Sequence, residues 1–383
     1  MKFSRRSRWA VPVGTAVLTG AAIAAVPALT ALTSAQAAPA LPEKTPAQLL
    51  AQLASAHQPP PMSGTVTETV ALGLPKLPDT GAVNSPTALL TGSHTLNLWY
   101  DGPKRFRIAL PQQMRETDIY RDGSTAWLWQ SSGNNVTKFV LPSGAAAKQA
   151  LPPAATPLTP QQAASDVLAL AGKTTKVSVA ANFTVAGRAA YDLALQPKDT
   201  RSLIGQVTIA IDASTSVPLQ VQVFARGATS PAITVGFTHV SFATPAAGDL
   251  TFTPPPTAKI TTTDLSGARG EHAGAAGSNS GASGVTATGS GWLTVAEFPE
   301  SALQAVTGSM PAPGRAAGVQ GASAQETQAA ISALFNDATP VHGTWGSGML
   351  LRTSLLSVLI ANNKVYAGAV DPSVLYAAAA AGS

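Results

Sequence analysis

The stretch LWYDGPKRFRIALPQQMRETDIYRDGSTAWLWQSSGNNVTKFVL, Leu98 to Leu141, decides the fold. Apolar residues alternate with polar ones at Phe106, Ile108 and Leu110 and again at Trp127 and Trp129, the period-two pattern of strands with one buried face. Asp101-Gly102, Asp122-Gly123 and Gly133-Asn134-Asn135 interrupt that pattern with residues that accept positive φ, as tight turns require. The stretch reads as an antiparallel meander and offers no obvious catalytic group.

Upstream, the first 37 residues carry Lys2, Arg5, Arg6 and Arg8, then an apolar Ala/Val/Leu run, then Ala35-Gln36-Ala37, the small-x-small pattern of a signal-peptidase site. Export is expected. Ser4-Arg5-Arg6 begins like a twin-arginine signal, but the residues after it do not complete that pattern, so the general route is preferred. No acid precedes Glu43, so removing those four cations takes the formal charge from +5 to +1. Nothing in the remainder clusters Lys and Arg into the positive field that would replace phosphate counterions, which argues against a nucleic-acid partner. The chain has no cysteine, hence no disulfide, no thiolate chemistry and no acylated N-terminal cysteine. No later apolar run reaches the roughly 20 residues a membrane helix needs.

Three helices are expected, each with a start signal. Thr45-Pro46-Ala47-Gln48 and Thr159-Pro160-Gln161-Gln162 pair an N-cap threonine with proline and then glutamine, and Ser323-Ala324-Gln325-Glu326 is a capping box without proline. Their apolar stripes are Leu49, Leu50 and Leu53; Val167, Leu168 and Leu170; and Ile331, Leu334 and Phe335. Further strands are expected over 65–72, 95–100, 177–185, 189–196, 206–212, 217–225 and 233–242, and in the last but one Leu219, Val221 and Val223 oppose Gln220 and Gln222. Residues 74–91 and 143–158 read as loop and linker. Ser266 to Gly291, rich in Gly, Ala and Ser, reads as a disordered insert. A strand over 348–360, a turn at Asn362-Asn363 and a strand over 365–370 form an expected closing hairpin. The resulting division is a signal peptide at 1–37, a domain at 38–260, an insert at 261–291, and a portion at 292–383 that completes or extends the same domain.

Catalytic chemistry finds no footing. The histidines (57, 94, 239, 272 and 342) show no metal-ligand spacing, and there is neither a Gly-x-Ser-x-Gly elbow nor a phosphate-binding glycine loop. No enzyme, no metal and no cofactor are expected. Glu116 and Asp118, with Arg115 and Arg121 nearby, read as a solvated edge, and Lys104, Arg105 and Arg107 as the wet face opposite Phe106 and Ile108.

The order of elements resembles the LolA-like superfamily: a short helix, SGTVTETV, the YDGPKRFRI pair, the DIYRDGSTAWLWQ hairpin, a second helix, YDLALQP, VTIAIDASTSVPLQVQVF, VGFTHVSF and DLTFTPPP. That superfamily holds periplasmic lipoprotein carriers, mycobacterial lipid-carrier lipoproteins and the N-terminal domain of a sigma-E regulator. The resemblance spans roughly residues 45–256, with a tail like that of actinobacterial members. It implies an α+β fold, a strongly curved antiparallel sheet forming an incomplete β-barrel whose concave apolar face is covered by helices. Leu98, Phe106, Ile108, Trp127, Trp129, Leu219, Val221 and Val223 are the residues expected to line a lipid cavity there. The function implied is that of an exported, extracytoplasmic, non-enzymatic carrier of lipid or lipoprotein acyl chains, acting as a monomer. The alternative is a sensor or regulatory domain with a membrane-protein partner.

Overall fold

The quoted stretch forms a run of strands joined by short turns. In a computed structural model, which describes residues 40–55, 58–73, 91–112, 114–141, 159–170, 172–266, 286–301 and 338–382, these are Thr91–Tyr100 (β2), Arg105–Gln112 (β3), Arg115–Asp122 (β4), Thr125–Gln130 (β5) and Asn135–Val140 (β6), preceded by Met62–Ala71 (β1). A second meander follows: Thr175–Val179 (β7), Phe183–Val185 (β8), Arg188–Pro197 (β9), Ile204–Asp212 (β10), Pro218–Ala225 (β11) and Pro231–Ser241 (β12). Lys259–Asp264 (β13) completes a 13-stranded sheet in the order β13-β6-β5-β4-β3-β2-β1-β12-β11-β10-β9-β7, with β8 also paired to β9.

The two meanders meet along one seam, where β1 pairs antiparallel with β12 and Val66 lies opposite Phe237. Gly64 sits in that seam because a Cβ there would collide with the His239 carbonyl. The helices Pro46–Ser55 (α1) and Pro160–Leu170 (α2) begin with the expected capping boxes. Thr45 N–H donates to Gln48 Oε1 at 2.8 Å and Gln48 N–H to Thr45 Oγ1 at 3.3 Å, and Thr159 and Gln162 repeat the exchange at 3.0 and 3.3 Å. Through Leu49, Leu53, Ala163, Ala164 and Val167 the two helices join the apolar core on one face of the sheet, here the inner face. The closest helix contacts fall on β7, β11 and β12.

Two expectations need correcting. The protein is mostly β rather than α+β. The sheet is mixed, because β13 lies parallel to β6, with Lys259 beside Asn135. Its strand order has two ends, at β13 and β7, so the strands do not close into a barrel. The parallel pair has a plain cause: residues 242–258 leave β12, cross the outer face and deliver the chain to β6 in the same direction, the long connection such pairing needs. A turn of 3₁₀ helix at Ala247–Leu250 packs over β2, β3 and β4 during that crossing.

The C-terminal part builds a separate sheet, Thr286–Thr288 (β14), Val295–Pro299 (β15), Thr339–Gly343 (β16), Gly346–Arg352 (β17), Ser357–Ala361 (β18) and Lys364–Gly368 (β19), in the order β14-β15-β19-β18-β17-β16. The Asn362-Asn363 turn is as read, with φ of 53° and 59°. The expected strand over 348–360 instead breaks where Thr353 Oγ1 accepts from Leu356 N–H at 2.9 Å, giving two strands. A helix over Pro372–Ala381 (α3), capped by Asp371, was not foreseen; it covers one face of this sheet with Leu375 and Ala379. The insert expected at 261–291 overlaps β13 at one end and β14 at the other, and 267–285 lie outside the described residues. The helix expected from Ser323 and the loops at 74–90 and 142–158 also lie outside them.

Trp292 ties the second sheet to the first. It is 4 % exposed, belongs to the large core, and its indole N–H donates to Thr175 Oγ1 at 2.7 Å. Ser202 bridges Val370, and Leu203 N–H donates to Ala369 O at 2.9 Å.

Candidate functional site

Register turns the strand alternation into continuous apolar rows on the inner face. One row runs Leu193, Ile209, Val221 and Val235 across β9 to β12 and then reaches Glu68 and His94 on β1 and β2. Another runs Leu98, Ile108, Ile119 and Leu128 across β2 to β5. The first is closed packing: Leu193 and Ile209 are fully buried. In the second, Ile108 and Ile119 are only half-buried.

Six of the eight expected lining residues therefore share the inner face. Leu98, Leu219 and Val221 are buried in the large core, Val223 and Ile108 pack at its margin, and Phe106 is half-buried beside Tyr100 and Arg121. Trp127 and Trp129 do not join them. Phe106 pairs with Arg121 and Arg121 with Ala126, whereas Arg107 pairs with Tyr120 and Tyr120 with Trp127. Both tryptophans thus stand on the outer face, with the arginine that was expected to be wet.

That outer face is a second packed layer. Arg107 lies 4.6 Å from the Trp99 ring and 5.0 Å from that of Tyr120, and its guanidinium donates to Asp118 at 3.0 and 2.6 Å. Phe252, from the crossing segment, lies 4.9 Å from Tyr120 and 5.5 Å from Trp127. Lys138 stands over Trp127, and the Trp129 indole donates to Asn134 Oδ1, whose amide donates to Thr257 Oγ1. The solvated edge expected at Glu116 and Asp118 is corrected accordingly: Asp118 is 1 % exposed and Arg121 5 %. Burial pushes the Tyr120 hydroxyl up to about 12, and burial together with the neighbouring Asp118 carboxylate raises Glu116. Sequence alternation alone missed this layer because the crossing segment that buries it comes from more than a hundred positions away.

Other polar groups are structural. Asp212 binds Arg188 and accepts from Ser214 and Thr215 to shape the β10–β11 turn. Tyr191 donates to Pro42 O at 2.9 Å while Lys44 covers its ring, tying the chain before α1 to β9. Glu68 is 6 % exposed on the inner face, opposite His94. Among the described residues, no group of three His, Asp or Glu is placed to hold a metal ion, and no helix is long and apolar enough to cross a membrane.

Neither a protein-family model nor a characterised protein matches this chain in sequence. Solved structures do resemble it. MucB of Pseudomonas aeruginosa, solved with MucA, is 14 % identical with a TM-score of 0.42, over 87 % of this chain and 96 % of that one. A LolA-superfamily protein from Nitrosomonas europaea is 12 % identical with a TM-score of 0.21, over 55 % and 99 %. The likeness is distant.

Proposed function

We propose that this chain is an exported, non-enzymatic binder or carrier that holds the acyl chain of a lipid or lipidated protein against the inner face of a curved large sheet. In this reading 1–37 is the cleaved leader, 38–260 the acyl-binding domain, 261–291 its connection to the rest, and 292–383 an extension of the same domain. The observation that carries the reading is the apolar inner face itself. Its rows extend across β2 to β5, past the strands that α1 and α2 contact most closely, and Phe106, Ile108 and Ile119 there are half-buried where Leu193 and Ile209 are sealed. Each methylene withdrawn from water contributes about 0.8 kcal/mol, so ten supply roughly 8 kcal/mol before ordering costs, the scale of micromolar binding.

Native mass spectrometry of protein exported from its own host, with uptake of a fluorescent fatty acid, tests this. Co-purifying acyl mass and saturable uptake that Ile108→Glu weakens are expected. Protein that is empty and takes up no probe overturns the reading. If such lipid-free protein captures one stoichiometric membrane protein, the sensor reading replaces it.

A further inference from the structure

We infer that the outer face at one end of the second meander binds a phosphate-bearing ligand. The register sets Lys176, Gln196, Gln206 and Phe224 side by side across β7, β9, β10 and β11. Beside that row is an open pocket of about 490 Å³, lined by Gln196, Gln206, Phe224 and Arg226 among others, and none of its lining residues is acidic.

Cations scattered in the sequence gather at this end. Lys173 precedes β7, Lys176 lies near its start, Lys198 follows β9, and Arg226 follows β11. None of the four is within ion-pair distance of a carboxylate among the described residues. The nearby acids are already engaged. Asp199 takes two guanidinium bonds and the backbone N–H of Arg201, which hold it at about 2. Asp371, whose N–H reaches Arg201 O, accepts from Ser373 as the cap of α3. The local field is positive although the exported chain is nearly neutral.

The fixed groups have the geometry to use that field. Arg226 is immobilised by its own hydrogen bonds, Nε to Ser202 O at 2.8 Å and Nη2 to Asp199 O and Ile204 O at 3.0 and 3.2 Å. Its Nη1 makes no bond to a described residue and remains a donor. Gln196 Nε2 donates to Gln206 Oε1 at 2.8 Å, which orients the Gln206 amide and leaves its N–H groups as donors beside the pocket. A guanidinium, an amide and the exposed Lys173, Lys176 and Lys198, the last donating to Lys173 O at 2.9 Å, supply the several donors and charges a phosphate group needs, and Phe224 adds an apolar wall for the carbon skeleton attached to it. The site does not depend on the acyl-chain reading, because it lies on the opposite face of the sheet.

Flotation of the exported protein with phosphatidylcholine vesicles, with and without phosphatidylglycerol, tests the inference, together with calorimetry using inorganic phosphate and glycerol 3-phosphate. Lys176→Glu and Lys198→Glu alter exposed side chains, and an unchanged melting temperature shows that they fold. The expected result is binding to phosphatidylglycerol vesicles, to a soluble phosphate or to both, weakened about tenfold or more by Lys176→Glu and falling with salt. Vesicle binding alone identifies a lipid headgroup as the source, and phosphate binding alone a soluble ligand. Indifference of the wild type to every phosphate probe, or Lys176→Glu binding as well as wild type, overturns the inference. Fatty-acid uptake measured on the same samples separates the two sites: uptake lost with phosphate binding intact refutes only the acyl reading.

Discussion

The two meanders of the large sheet have the same kind of strand and different kinds of packing. In β9 to β12 the inner face is sealed, with Leu193, Leu195, Val207, Ile209 and Leu219 at 0 % exposure, and its outer face is short and polar, as at Gln220 and Gln222. In β2 to β5 the inner face is half-buried at Phe106 and Ile108 beside the buried Leu98, Leu110 and Leu128, and the outer face holds a packed layer in which half-buried Arg107, Trp127 and Phe252 surround the buried Asp118. A meander sealed on its inner side serves as scaffold. One whose rigidity comes from its outer side can leave inner apolar surface for a guest.

The strongest test of that contrast is a matched pair. Ile209→Ala should cost about 4 kcal/mol in denaturant unfolding, since it opens a cavity in closed packing, and Ile108→Ala only about 1–2 kcal/mol. Equal losses would abolish the distinction. Next, Arg107→Ala removes the cation from a fully buried carboxylate and should cost about 3 kcal/mol, with loss of near-ultraviolet signal from the surrounding aromatic rings. A cost below about 0.5 kcal/mol would show that the outer layer does not brace its meander.

A smaller effect belongs to Asp192 in the scaffold meander. Burial pushes its carboxyl up to about 6 from 3.8, and its Oδ1 has no hydrogen-bond partner. A carboxyl that is harder to ionise in the folded state makes folding more favourable at low pH. That contribution is present below the unfolded value and is lost as pH rises through about 4 to 6. Asp192→Asn should therefore raise stability at pH 7 by about 1–2 kcal/mol, allowing for the part of the group open to solvent, and should flatten the profile over that window. Smallest of all, Thr159→Ala deletes the cap of α2 and should cost about 1 kcal/mol by thermal melting.

What sequence could show here was set by distance along the chain. The meanders, the capped helices and the Asn362-Asn363 turn depend on neighbouring residues and were legible. The swap of Trp127 and Trp129 to the outer face was legible in principle. Gln112 pairs with Arg115 and Asp122 with Thr125, so two successive two-residue turns fix which positions share a face. The first of those turns lacks the glycine that would have marked it; Met114 takes the positive φ instead, at 57°. The start of α3 was also written locally, as Asp371-Pro372, but its alanine run has no amphipathic stripe to confirm a helix. The crossing segment, β13 and the gathered lysines were not legible, because each depends on strands that meet only after the chain has folded.

The β1–β12 seam sets an order of events. Each meander closes through contacts between consecutive strands, but Val66 must wait for Phe237, 171 positions later. On the proposed export reading, a chain that crossed the membrane N-terminus first would present β1 with one side unpaired until almost the whole second meander had crossed. The inner face that is proposed to hold an acyl chain would therefore be open during this interval, and on that proposal loading during export would compete with the final zipping of the sheet.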